Sequence, residues 1–137
     1  MNQHTYIRAY LAGIAVPTVV LLGVMTGYCV LRYVYNFPVP VERVIVFPMA
    51  VVPNLWGLWN VAFIALRSRW QLNIGLHGAL LPFLLAPLGF LVAGLLNFPL
   101  PVIVARALPI LAPVALIVYY LAWKYLVGFL NRVVALA

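Results

Sequence analysis

Four apolar runs, each about as long as a lipid bilayer is thick, decide what this chain can fold into. A helix rises about 1.5 Å per residue and crosses a hydrocarbon layer of roughly 30 Å in about 20 residues. Runs of that length occupy residues 9–31, 44–66, 74–96 and 102–125. The remainder, "LVGFLNRVVALA", reads as an extension of the last helix along the interface. The first run of about 23 residues is longer than a signal-peptide core of about 7–15, so it reads as a retained membrane helix.

Composition agrees with a lipid solvent. Only 7% of the 137 residues are charged, where a soluble domain carries roughly 25%, and mean hydropathy is +1.17. So few charges cannot cover a soluble surface. Residues 1–137 therefore read as a single integral membrane domain. The formal charge is +7, with Glu42 the one acid. The basic residues stand at the ends of apolar runs, where they anchor helices at lipid headgroups, and this spacing argues against nucleic acid. Arg67, Arg69 and Lys124 are the expected headgroup contacts, with anionic lipid as the expected partner. The single cysteine, Cys29, forms no internal disulfide and reads as a small buried hydrophobe.

Four spans put both termini on one side. That side holds Arg8, Arg67, Arg69, Lys124 and Arg132, and the other holds Arg32, Arg43 and Arg106. The positive-inside rule then predicts cytoplasmic termini in a plasma (inner) membrane.

The chain also reads as built twice. "NFPVPV" at 36–41 returns as "NFPLPV" at 97–102, and Pro48 returns as Pro109 at the same offset of 61. Upstream, "GIAVP" at 13–17 matches "GALLP" at 78–82. Repeats at 9–66 and 74–130 each contain two spans and so have one orientation. The predicted fold is all-α: four transmembrane helices as two tandem hairpins, related by a pseudo-two-fold axis along the membrane normal. The repeated Asn-Phe-Pro reads as a helix connector. Asn tolerates the left-handed conformation at a helix end, and proline suits the first turn of the next helix.

Seven of the 11 prolines fall within spans. Pro53, Pro82, Pro87 and Pro113 are the expected kinks, while Pro48 and Pro109 suit first turns. The stretch "VVPNLWGLWN" at 51–60 carries amides and indoles at mid-span. At about 100° per residue, Trp56, Trp59, Asn60 and Phe63 share one face, and Asn54 and Gly57 lie roughly opposite. Asn54, Trp56, Trp59 and Asn60 are the candidates for a polar lining or for helix packing. Glu42 and Arg106 form an expected ion pair between the copies. His77 reads as a packing residue, because no second ligand stands near it in sequence.

Catalysis is not expected, because the only titratable candidates are Glu42 and two scattered histidines. No metal site or cofactor is expected either. Two functions fit: a small oligomeric transporter or channel for a small solute, or a non-catalytic accessory subunit docking on a larger membrane complex or on lipid.

Overall fold

The computed structural model describes residues 3–38, 45–97 and 102–136. Of the chain, 86% is helix, and the described residues contain no strand. Four helices are long and apolar enough to cross a membrane: His4–Tyr33, Phe47–Arg69, Ile74–Leu95 and Arg106–Val133.

The first span is one helix, α1 (Gln3–Tyr33), which runs through Pro17 without a break. The second begins with a π-helical turn, Ile45–Met49, and continues as α2 (Val52–Trp70). The third is split into α3 (Ile74–Ala79) and α4 (Leu81–Leu95). The fourth comprises α5 (Val102–Leu121), a π-helical segment (Ala122–Val127) and α6 (Gly128–Val133).

Proline chemistry places these breaks. Pro53 and Pro82 sit in the first turns of α2 and α4, so they open new segments and do not kink continuous ones. Pro48 lies inside the first π turn and Pro109 well inside α5, not in first turns. Pro87 and Pro113 are interior to α4 and α5. Asn73 caps α3 by accepting from the Gly75 N–H at 2.8 Å.

After the first and third spans the chain turns at Asn36 (φ 54°) and Asn97 (φ 52°). Both asparagines hold the left-handed conformation that releases a chain from a helix. Residues 39–44 and 98–101 lie outside the described residues, and with them Glu42 and the expected Glu42–Arg106 pair. Arg106 itself is exposed.

Small residues set the helix contacts. A Cβ on Gly13 would stand 2.6 Å from the Trp56 carbonyl oxygen and 2.8 Å from Gly57 Cα, so α1 and α2 touch backbone to backbone. A Cβ on Gly78 would lie 2.0 Å from Trp123 Cγ, so the fourth span seats an indole directly on the third.

The packing is one-sided. We call the end where α1 starts and α2 finishes the near end. One core cluster joins Trp56, Leu81, Leu85, Trp123 and Val127, and a second joins Ala9, Ile64 and Leu136. By contrast, no residue of 18–33, 86–95 or 106–121 is buried. The accessible surface is 8912 Å², against roughly 7,100 Å² for a compact monomer of 15.2 kDa. Buried side chains thus gather toward the near end, and these far-end segments carry none.

Candidate functional site in the packed half

The second span is the hub, and its faces meet different neighbours. Trp56 and Asn60, one turn apart, point to the fourth span. The Trp56 ring lies 5.1 Å from Tyr119 and 5.3 Å from Trp123. Asn60 is fully buried and uses its whole amide group. Its Nδ2 donates to the Ala9 carbonyl at 2.8 Å and to Asn131 Oδ1 at 2.8 Å. Asn131 Nδ2 returns a bond to Asn60 Oδ1 at 3.0 Å. This reciprocal pair ties the first, second and fourth spans together where water has no access.

Trp59 and Phe63 point instead to the third span. Trp59 Nε1 donates to the His77 carbonyl at 2.8 Å. That carbonyl lies in the last turn of α3, where it also accepts from the Leu80 N–H at 3.3 Å. His77 Nε2 lies 3.0 Å from the Trp59 carbonyl oxygen. A carbonyl can only accept, so Nε2 carries the proton. The imidazole stacks on Trp59 at 4.8 Å and also meets Phe63 and Trp123. His77 is thus a structural clasp between spans two and three.

Asn54 stands apart from this group. It is exposed, accepts from the Tyr10 hydroxyl on α1, and donates to the Ala50 carbonyl at 2.7 Å. With Tyr10, Thr18 and Met49 it lines an open groove of about 220 Å³ between the first two spans. Of the four mid-span candidates, three lie in the interior network and Asn54 does not.

Two indole N–H groups in the core, those of Trp56 and Trp123, have no hydrogen-bond partner.

At the near end a second cavity of about 360 Å³ opens between the last three spans. Its walls include Arg67, Lys124 and Arg132, with Asn73, Asn131 and apolar Phe63. Arg67 donates to the Leu136 carbonyl. The Lys124 ammonium lies 5.5 Å and 5.4 Å from the ring centres of Tyr120 and Tyr125. Arg67 and Lys124, both expected headgroup contacts, share this cavity, whereas Arg69 is exposed and does not line it.

Asn131, Trp123 and Arg132 were not candidates by sequence. Trp123 lies near the end of the fourth apolar run, and Asn131 and Arg132 lie in the remainder read as an interfacial extension. The signal available was the spacing of Trp123, Val127 and Asn131, four residues apart each time. Among the described residues no group of three His, Cys, Asp or Glu could hold a metal ion. No protein-family model, curated protein or solved structure matches this chain.

Proposed function

We propose that this chain is a non-catalytic membrane subunit that functions only when assembled with further membrane-embedded helices, in the first instance further copies of itself. One observation carries this reading: the spans pack tightly at the near end and leave residues 18–33, 86–95 and 106–121 without a single buried side chain. The interior polar groups support the same reading. Asn60, Asn131, Trp59 and His77 bond one another, so they hold helices together and leave no free polar lining.

The subunit is two tandem hairpins related by a two-fold axis along the membrane normal, with both termini cytoplasmic in the inner membrane. In support, spans one and two touch through Gly13, and spans three and four through Gly78, and these two glycines open the repeated Gly-x-x-x-Pro. The asparagine of each connector has the same left-handed backbone.

A transport reading has one observation of its own. The Tyr10–Asn54 pair is exposed along the 220 Å³ groove, so an oligomer with this groove at its axis would offer a small solute a carboxamide and a phenol.

The test is the mass of the detergent-extracted particle, followed by solute flux in liposomes of purified protein. An oligomer without flux supports the assembly reading. Flux that falls with Asn54→Leu shifts the function to transport. A monomer with no co-purifying membrane protein overturns both.

A further inference from the structure

We infer that the cavity at the near end is a binding site for a phosphate-bearing anion. Three cations, Arg67, Lys124 and Arg132, converge on its walls from the second and fourth spans. Among the described residues no acid lines it, and Glu42, the sole acidic side chain of the sequence, lies outside them. Among the described residues the three charges therefore have no side-chain counter-ion.

Like charges gathered at one cavity repel, and an anion between them converts that repulsion into attraction. Arginine suits phosphate in particular, because its fork of N–H donors meets two oxygens at once. Arg67 is held by its bond to the Leu136 carbonyl, which fixes one side of its guanidinium and leaves other donors available. Asn73 adds a carboxamide to the same wall. Phe63, Ile64 and Ile74 supply an apolar surface beside the charges. The cavity also sits where the spans end, the depth at which lipid phosphates lie. Two sources share this chemistry: the headgroup of an anionic lipid and a free phosphate.

The experiment uses the full chain in nanodiscs of neutral phosphatidylcholine, read by native mass spectrometry. One arm adds phosphatidylglycerol and the other adds inorganic phosphate. Saturable retention of phosphatidylglycerol alone assigns the site to a lipid headgroup, and competition by inorganic phosphate assigns it to the phosphate group itself. Lys124→Gln and Arg132→Gln should each weaken binding about tenfold, or about 1.4 kcal/mol. Both side chains are exposed, so the buried Asn60–Asn131 pair stays in place. Should one variant fail to assemble, the other still reads the site. Arg69→Gln and Arg8→Gln, which remove basic charge outside the cavity, should leave binding unaltered. Retention no greater than that of phosphatidylcholine, or an equal loss with Arg69→Gln, would overturn the inference.

Discussion

Replacing Asn60 and Asn131 by leucine, singly and together, measures what the buried carboxamide pair contributes. Each single change removes two bonds between these side chains, of 2.8 Å and 3.0 Å, and leaves the partner amide facing leucine. Hydrogen bonds between membrane helices average about 0.6 kcal/mol and reach about 1.7. Two such bonds give a coupling energy of about 1.2 kcal/mol, with an upper bound of about 3.4 kcal/mol. The single costs should also differ. Asn60→Leu loses the Ala9 bond as well, so it should exceed Asn131→Leu by about 0.6 kcal/mol. Reversible unfolding in mixed micelles, followed by helix content, supplies the four stabilities of the cycle. A coupling near zero would refute the reasoning, as would Asn131→Leu costing more than Asn60→Leu.

Gly78→Ala should destabilise the protein by about 1–3 kcal/mol in the same assay, because the new methyl would overlap Trp123, which has no exposed surface into which to move. Gly94→Ala, where nothing lies within 4 Å, should be neutral or stabilising by up to about 1 kcal/mol. Equal effects at the two sites would remove Gly78 as a seat for the indole. Tyr10→Phe deletes only the hydroxyl donated to Asn54 and should cost about 0.6 kcal/mol; combined with Asn54→Leu it should add almost nothing. Full additivity of that pair, measured by unfolding, would separate the two residues.

What was legible in the sequence is what depends on residues near one another along the chain. Hydropathy is such a property, and it located all four spans. The fourth differs most, because residues 126–133 continue the helix and carry buried Val127, Gly128 and Asn131. Backbone chemistry is local too: an Asn before Phe-Pro indicates a left-handed turn, and Asn36 and Asn97 adopt it. Helix periodicity separated the Trp56 and Asn60 face from Asn54. It could not say that Asn60 meets Asn131, 71 residues away. Gly13 and Gly78 were visible as a repeated pattern, yet their role depends on which side chain comes down on them. The unpartnered Trp56 and Trp123 N–H groups left no mark in the sequence, since an indole pattern is the same whether or not an acceptor stands opposite.

The π-helical segment at Ala122–Val127 bears on how this chain can change in length. It lies between the Tyr119–Trp56 contact and the Asn131–Asn60 pair, two points at which the same helix is held by the same neighbour. Removing one residue between them would turn everything beyond by about 100° and shorten the rise by about 1.5 Å. Asn131 would then leave Asn60, and Arg132 would take its place on that face. Outside such a doubly pinned stretch, at residues 86–95 for instance, one residue more or less disturbs no buried contact. Related chains should therefore vary in length at the far end and in the connectors, and keep the count from Tyr119 to Asn131 even where most of the apolar residues between have been exchanged.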